Sequence, residues 1–379
     1  MKRRTFLSSA AVAPAALAAP TIARAQAQHN WKLVTSVPRG LPGPGVSAQR
    51  WAERITQISE GAINVQVFGA GELVAPFATQ EAVESGTAEV YHGSGTWFSG
   101  RDIAHAFFTA APFGLTYDEM HAWMYFGGGQ ELLDEFTNDR GLKIFIGGGS
   151  GVQTAGWFKR EITSLDDLQG LNFRAAGLYG EVLRKLGVNP TSIPPGDIFA
   201  ALQAGTLDGA EWVGPSNDLA FGLQNVAGYM YAPSPVEIYG GIEFGIGMEA
   251  WEALTDSQRL MVETITEAEA NKSSADTFHA NLAAFDRLRS NPDLTIAEFP
   301  DDVWDGIETA CAEVIEEVKE TSDFHRRFVD AYYDYVRQAT GYKQFYDTGF
   351  MVRRQTSSCD TKGGPAAGRV RPRPKDTSS

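Results

Sequence analysis

Short strand-like and helix-like segments alternate through the first part of the chain, and this alternation restricts the fold to the α/β class. The first strand candidates are Trp31–Val37, Ile63–Phe68, Ala88–His92 and Leu142–Ile146. A second group follows at residues 153–158, 171–175, 188–192 and 208–213. A mature chain of about 330 residues exceeds the comfortable size of one hydrophobic core. We therefore predict two α/β lobes, residues 26–151 and 152–239, with a strand at 240–248 returning to the first lobe.

Beyond residue 249 the pattern changes to long helices, interrupted by one strand candidate at Leu294–Phe299. Apolar residues recur every three, four or seven positions from Met261 to Phe285, without Gly or Pro. A helix of about 30 residues would be on the order of 45 Å long, which is longer than one lobe of this size. We therefore predict that this helix braces both lobes. Helices at Asp301–Glu320 and Asp323–Gln338 complete a helical region at 249–350.

The N-terminus has the order of features of an export signal. Arg3 and Arg4 begin a twin-arginine pattern that Phe6 and Leu7 complete, and a short Ala- and Leu-rich run follows. Residues 23–25, Ala-Arg-Ala, supply a small-x-small cleavage site. We predict a twin-arginine signal peptide at residues 1–25, export in the folded state, and localisation in a bacterial periplasm.

Composition excludes several other classes of protein. The net charge of −15 argues against nucleic acid as a partner, because phosphate binding requires a basic face. No apolar run after the signal approaches 18 residues. Two cysteines, Cys311 and Cys359, are too few for a disulfide framework, and Cys311 fits a buried helical position. The last residues, 357–379, are rich in Gly, Pro, Ser and Arg and are predicted to be a disordered tail.

Motifs typical of enzymes are largely missing from the sequence. It contains no H-E-x-x-H, G-x-S-x-G, P-loop or C-x-x-C pattern, and its six histidines lack metal-ligand spacing. Residues 43–48 match G-x-G-x-x-A, but the next strand ends in Phe68-Gly69 without the acidic residue that would bind a ribose. We therefore expect a binding protein without catalytic activity. The alternative is a periplasmic enzyme with Glu211 as its general base.

Three segments of the second lobe carry a specific resemblance. These are residues 151–160, GVQTAGWFKR, residues 164–174, SLDDLQGLNFR, and residues 204–215, AGTLDGAEWVGP. In this order they resemble the solute-binding proteins of tripartite ATP-independent periplasmic (TRAP) transporters. The resemblance covers residues 30–350 and implies a two-lobed, type 2-like periplasmic binding protein that delivers its ligand to a membrane permease. The segments 125–129 and 210–215 resemble the branch that binds 2-oxo and 2-hydroxy monocarboxylates.

The resemblance places an anchoring arginine at Arg174. A guanidinium can hold a carboxylate through two parallel hydrogen bonds, and the small pair Ala175-Ala176 leaves room for a ligand. A surface salt bridge is the alternative role for Arg174. The ligand-binding set that we predict consists of Arg174, Gln153, Trp212, Trp97 and Glu211. For Trp97 a structural role in the core remains an equal alternative.

Glu211 would repel a bound acid unless a positive charge lies between them. The resemblance implies a bridging cation whose oxygen donors are Gln153, Glu211, the backbone carbonyl of Trp212 and Glu237. Oxygen donors suit Na⁺ or Ca²⁺ rather than zinc. For Glu237 the alternative is a solvent-exposed loop carboxylate.

The sequence thus predicts a protein that closes by a hinge on a pyruvate- or lactate-like acid. A dicarboxylate, a sugar acid and an ectoine-like compound remain alternative ligands. The resemblance also implies a homodimer formed by exchange of the C-terminal helices, with the alternative that these apolar positions cover the lobes of the monomer.

Overall fold

The computed structural model describes residues 28–355. The predicted signal peptide and the predicted tail, with Cys359, lie outside these residues. The strands are β1 (His29–Thr35), β2 (Ile63–Phe68), β3 (Val90–Gly93), β4 (Leu142–Gly149), β5 (Gly156–Phe158), β6 (Asn172–Arg174), β7 (Asn189–Thr191), β8 (Gly209–Ala210), β9 (Tyr229–Tyr231), β10 (Gly241–Gly247) and β11 (Thr295–Ala297). The helices are α1 (Pro44–Ile58), α2 (Thr79–Glu84), α3 (Gly95–Phe98), α4 (Ala104–Phe107), α5 (Tyr117–Phe126), α6 (Gly129–Thr137), α7 (Gly177–Lys185), α8 (Ile198–Ala204), α9 (Pro215–Phe221), α10 (Met248–Glu252), α11 (Asp256–Arg289), α12 (Asp301–Lys319), α13 (Asp323–Lys343) and α14 (Gly349–Gln355).

The first lobe is built on a five-stranded sheet with the order β2-β1-β3-β10-β4. Strand β1 pairs in parallel with β2 and β3, whereas β10 is antiparallel to both β3 and β4. Strand β10 therefore returns to this sheet after the chain has passed through the second lobe. Its Phe244 is fully buried and stacks on Trp51 of α1 with 4.7 Å between the ring centroids.

The second lobe is built on a six-stranded sheet with the order β11-β9-β5-β8-β6-β7. Strand β5 is antiparallel to its neighbours β8 and β9, and β6 is parallel to β7 and β8. The sequence predicts stops at Gly170, Gly187 and Gly205, and all three have positive φ angles at turns. The two sheets confirm the predicted α/β class, while the exact limits of the lobes at 26–151 and 152–239 stay a prediction.

Polar contacts tie helix α11 to both lobes. It has 34 residues, which corresponds to about 51 Å. In the first lobe, the fully buried carboxylate of Glu269 accepts hydrogen bonds from Ser47 Oγ at 3.0 Å and Arg50 Nε at 2.8 Å. In the second lobe, Asn281 Oδ1 accepts from the backbone N of Ser216 at 3.0 Å and from its Oγ at 2.7 Å. One continuous helix thus contacts both halves of the molecule.

The predicted apolar stripe of this helix is only partly buried. Ile265 is buried, but Phe278, Leu282 and Phe285 are exposed. The buried face is instead largely polar in its second half, with Ser273, Ser274 and Thr277. Apolar periodicity did not identify this face because the helix passes a polar cavity there rather than a hydrophobic core.

The sequence from Tyr117 to Phe136 predicts one helix, and this prediction is wrong. Helix α5 ends at Phe126 and α6 begins at Gly129, with Gly128 at φ 87° between them. A Cβ atom at Gly127 would lie 2.8 Å from Trp123 Cδ1, so the close turn depends on glycine. After the break, α6 packs against both α5 and strand β4.

The helices after α11 pack on both lobes. On α12, Glu317 pairs with Lys185 of α7 at 2.6 Å. On α13, Tyr332 accepts a hydrogen bond on its hydroxyl from the backbone N of Leu115 at 2.9 Å. Helix α13 continues beyond the predicted Gln338 and leads through a π-helical turn into α14. Within residues 28–355, no helix combines the length and apolar character needed to cross a membrane.

Candidate ligand-binding site

A cavity lies between the two lobes and is bordered on a third side by α11. Its volume is about 50 Å³. A cavity of this size is suited to a small ligand. It is lined by Pro44, Ser94, Thr96, Trp97, Gly148, Gly149, Ser150, Gln153, Arg174, Ala176, Glu211, Trp212, Val213, Asn217, Glu237, Gly240, Gly241, Ile242, Ser273 and Thr277. All six residues singled out from the sequence therefore border one space.

Arg174 ends β6 and is 1% exposed. Its Nη1 donates to Glu211 twice, to the backbone O at 2.5 Å and to Oε2 at 2.8 Å. Its Nε and Nη2 have no hydrogen-bond partner among the described residues. These two donors lie on one edge of the planar guanidinium, which is the edge that can hold a carboxylate in a bidentate manner. The surface salt bridge considered for Arg174 is excluded by its burial.

Glu211 and Glu237 are both buried carboxylates in the cavity wall. Burial raises the pKa of Glu211 well above its usual range, although the charge of Arg174 opposes this shift and that of Glu237 adds to it. Burial likewise raises the pKa of Glu237 to about 8, against the effect of Arg174. Glu237 is only 6% exposed, so the alternative of a solvent-exposed loop carboxylate is wrong. Two buried acids and one arginine give the site one negative charge in excess when both acids are ionised.

The side-chain amide of Gln153 lies beside Glu211 and Trp212. In the orientation present, Gln153 Nε2 donates to Ser150 Oγ at 2.8 Å. Its Oε1 then faces Glu211 Oε1 at 2.9 Å and the backbone O of Trp212 at 3.1 Å. Rotating the amide by 180° would let Nε2 donate to both of these oxygens. A cation among the three oxygens would satisfy them without rotation.

The oxygen set therefore fits a hard cation such as Na⁺ or Ca²⁺. Within residues 28–355 there is no group of three or more His, Cys, Asp or Glu side chains placed to bind a metal ion. A site here would depend on the amide of Gln153 and the backbone carbonyl of Trp212 as much as on the carboxylate of Glu211. When both buried carboxylates are ionised, the excess negative charge of the site favours such an ion on electrostatic grounds.

The loop that carries Glu237 is fixed to Gln153 by backbone hydrogen bonds. The N of Gln153 donates to the O of Glu237 at 3.0 Å, and the N of Ser234 donates to the O of Gln153 at 2.9 Å. Gly240 closes this loop at φ 58°, where a Cβ atom would lie 2.2 Å from Gln153 Nε2 and 2.0 Å from Ser150 Oγ. Glycine at this position thus leaves the space that the amide occupies.

Trp97 and Trp212 come from different lobes, both line the cavity, and their rings stack on each other. Their ring centroids are 6.0 Å apart and the planes differ by 11°. The guanidinium carbon of Arg174 lies 5.3 Å from the Trp212 ring centroid, within the range of a cation–π contact. Trp97 is half-buried and borders the cavity, so it is not solely a core residue.

Sequence reasoning missed the contribution of α11 and α9 to the cavity. Ser273 and Thr277 of α11 and Asn217 of α9 all line it. Asn217 is 1% exposed, and its Oδ1 has no hydrogen-bond partner among the described residues. The available signal was the spacing of polar Ser273 and Thr277 along one face of a helix predicted from its apolar residues.

Comparison with known families gives one extensive match. The model described as bacterial extracellular solute-binding protein, family 7, matches residues 44–321. A monocarboxylate 2-oxoacid-binding periplasmic protein of Nostoc sp. (strain PCC 7120) is 35% identical over 297 residues, which cover 76% of this chain and 81% of that relative.

Solved structures agree over the whole fold. A TRAP periplasmic solute-binding protein from Pseudoalteromonas atlantica with bound sodium and pyruvate has a TM-score of 0.83 and 30% identity, covering 85% of this chain and 98% of that one. A TRAP solute-binding protein from Bordetella bronchiseptica, a mixed-occupancy dimer with copurified calcium and picolinate, has a TM-score of 0.84 and 31% identity, covering 87% and 98%. These neighbouring structures hold sodium or calcium together with a small carboxylate.

Proposed function

The chain belongs to the bacterial extracellular solute-binding proteins of family 7, and we propose that it binds one small 2-oxo or 2-hydroxy monocarboxylate, such as pyruvate or lactate, for a TRAP membrane permease. The observation that carries this proposal is the edge of the Arg174 guanidinium, whose Nε and Nη2 are buried at the cavity and have no hydrogen-bond partner within residues 28–355. Leaving two such donors unpaired costs free energy that a ligand carboxylate recovers. The sodium- and pyruvate-bound neighbour supports the choice of ligand.

The charges of the cavity wall favour a single carboxylate. Among the described residues that line it, Arg174 is the only basic one. A dicarboxylate would bury its second charge beside Glu211 and Glu237 without a counter-charge of the protein. The cavity volume also favours a short acid over a sugar acid or an ectoine-like compound.

We propose that the ligand is held by Arg174, Gln153, Glu211, Trp212 and Trp97. A Na⁺ or Ca²⁺ ion would be held by Gln153, Glu211, the carbonyl of Trp212 and Glu237. When bound, the ion would supply the positive charge that the pair of buried carboxylates and the acid lack. The Na⁺ and Ca²⁺ of the neighbouring structures support this assignment.

Binding couples to closure of the lobes in this proposal. Trp97 comes from the first lobe, while Arg174 and Trp212 come from the second. A ligand that contacts both sides stabilises the closed state over the open one, and this differential contact drives the change. We propose that the chain performs no chemistry on the acid, since the matching family and relative are solute-binding proteins. Glu211, the candidate general base, is also paired with Arg174. The twin-arginine signal would deliver the folded protein to the periplasm.

Calorimetry with the mature protein tests the ligand class. Pyruvate or lactate should bind with a stoichiometry of one and be recovered unchanged, because the cavity provides one carboxylate anchor. Succinate should bind at least about tenfold more weakly, since its second carboxylate has no partner. Tighter binding of succinate than of both monocarboxylates, or conversion of the ligand during the titration, would contradict the proposal.

We also propose that the protein is a homodimer through its C-terminal helices. Tyr342, Phe345, Tyr346 and Phe350 are exposed on α13, the π-helical turn and α14, with Phe345 79% exposed. An apolar surface of this kind is typical of an interface with another copy of the chain. The Bordetella bronchiseptica neighbour is a dimer, which supports this choice.

Light scattering at tens of micromolar should therefore give twice the mass of one chain. The double substitution Phe345→Ser and Phe350→Ser should shift the protein towards the monomer, because it removes two of the exposed rings. Ile58→Ser, at another exposed apolar position, serves as the control and should leave the mass unchanged. A parent protein of monomer mass would refute the dimer.

A further inference from the structure

Asp218 is a buried carboxylate outside the wall of the cavity. It lies on α9, is 0% exposed and accepts four hydrogen bonds. Its Oδ1 accepts from the backbone N of Val213 at 3.2 Å and of Gly214 at 3.0 Å. Its Oδ2 accepts from Thr154 Oγ1 at 3.1 Å and from Trp157 Nε1 at 2.8 Å.

These four donors belong to two of the three segments that carry the proposed oxygen ligands, the third being the loop of Glu237. Thr154 directly follows Gln153, and Val213 directly follows Trp212. The segments also share one direct hydrogen bond, from the N of Thr154 to the O of Val213 at 3.2 Å. Asp218 therefore joins the segment of the Gln153 amide to the segment of Glu211 and the Trp212 carbonyl.

We infer that Asp218 is a positioning residue that sets the separation between Gln153 and the Trp212 carbonyl, and through it the affinity for the cation. This inference rests on the proposed function. Asp218 does not line the cavity, so it acts through the main chain on either side rather than by contact with ion or acid. Residues that orient metal ligands in this way typically change metal affinity 10- to 100-fold when replaced.

The role requires a carboxylate rather than an amide of the same size. A carboxylate only accepts hydrogen bonds, and all four groups around Asp218 can donate to it. An asparagine would direct its NH₂ group either at the two backbone N–H groups or at the indole N–H of Trp157. One of the two segments would then lose its hydrogen bonds to residue 218 and move away from the other segment.

The test compares Asp218→Asn with Leu168→Ala in the mature protein. Leu168 is buried in the second lobe and does not line the cavity. Its replacement therefore lowers stability without removing any of the hydrogen bonds to Asp218. Each protein is freed of divalent ions, and Ca²⁺ is titrated alone by calorimetry, followed by pyruvate at saturating Ca²⁺. We expect Asp218→Asn to weaken Ca²⁺ binding about 10- to 100-fold, with pyruvate affinity largely recovered at saturating Ca²⁺.

Thr154→Val gives a milder version that keeps the shape of the side chain. It should weaken Ca²⁺ binding about three- to tenfold, because it removes one of the four donors. In the background of Asp218→Asn, Thr154→Val should weaken Ca²⁺ binding by less than it does alone, since both changes affect the hydrogen bond between Thr154 and Asp218. If Asp218→Asn does not fold, Thr154→Val decides the matter alone.

Unchanged Ca²⁺ affinity in the variants, or an equal loss in Leu168→Ala at a similar melting temperature, overturns the positioning role alone. A parent protein that binds neither Ca²⁺ nor a monocarboxylate overturns the proposed function and this inference with it.

Discussion

Replacing Arg174 by lysine should weaken binding of the monocarboxylate by about 1.5–3 kcal/mol, or roughly 10- to 150-fold. The physical reason is the shape of the guanidinium. Its Nη1 is engaged by Glu211, while Nε and Nη2 remain for the ligand. A lysine has one ammonium group for both tasks, so it cannot hold Glu211 and offer a planar pair of donors at the same time.

Calorimetry with pyruvate or lactate measures this effect. Arg184→Lys is the matched control, because Arg184 lies on α7 of the same lobe with an exposed side chain. It should leave the affinity unchanged. A lysine variant at 174 whose affinity stays within about a factor of three of the parent would remove Arg174 from the site. Melting curves should show both variants folded, with a lower midpoint for Arg174→Lys because the contact with Glu211 is weakened.

Removal of the cation should weaken binding of the acid by about 1–3 kcal/mol, and adding Ca²⁺ or Na⁺ should restore it. The cause is the charge of the site. Among the described residues that line the cavity, two buried carboxylates and one arginine face the acid, so an added positive charge stabilises the bound state. Glu211→Gln should weaken the metal first and the acid only through this coupling, which is reciprocal between the two ligands.

The experiment requires chelation and desalting into buffer free of sodium and calcium, followed by titrations with and without each ion. Glu181→Gln, an exposed acid on α7, is the control and should change neither affinity. If the ion-free protein binds the acid as tightly as before, and Glu211→Gln tightens binding by relieving repulsion, the cation model is wrong. Glu211 would then hold a proton, consistent with its raised pKa.

The alternation of strands and helices was sufficient to predict the two α/β sheets, because short β segments between glycine stops form repeating units. It was not sufficient to predict the break within residues 117–136, where Gly127 packs closely against Trp123. Nor did it identify the buried face of α11. Apolar periodicity finds a face that meets a core, and half of this helix meets a polar cavity instead.

The candidate site divides in the same way. The resemblance to TRAP binding proteins brought together Arg174, Gln153, Glu211 and Trp212, which do border one cavity. The direct contact of Arg174 with Glu211 was not predicted, because it depends on side-chain rotamers that sequence does not specify. It changes the electrostatic argument, since Arg174 already compensates part of the charge on Glu211. Asp218 was also missed, as its role is visible only when Thr154 and Val213 are seen to be adjacent.

Because α11 is attached to both lobes, the number of residues between its two attachments cannot change without moving one lobe relative to the other. Glu269 and Asn281 are separated by twelve positions, which corresponds to about 18 Å along the axis and about 120° around it. Inserting one residue between them would turn Asn281 by about 100° away from Ser216 while Glu269 stayed with α1. Helix α11 therefore sets the distance and the relative rotation of the two lobes. We therefore expect variants of this chain to tolerate substitutions on the exposed side of α11, but not insertions or deletions between Glu269 and Asn281.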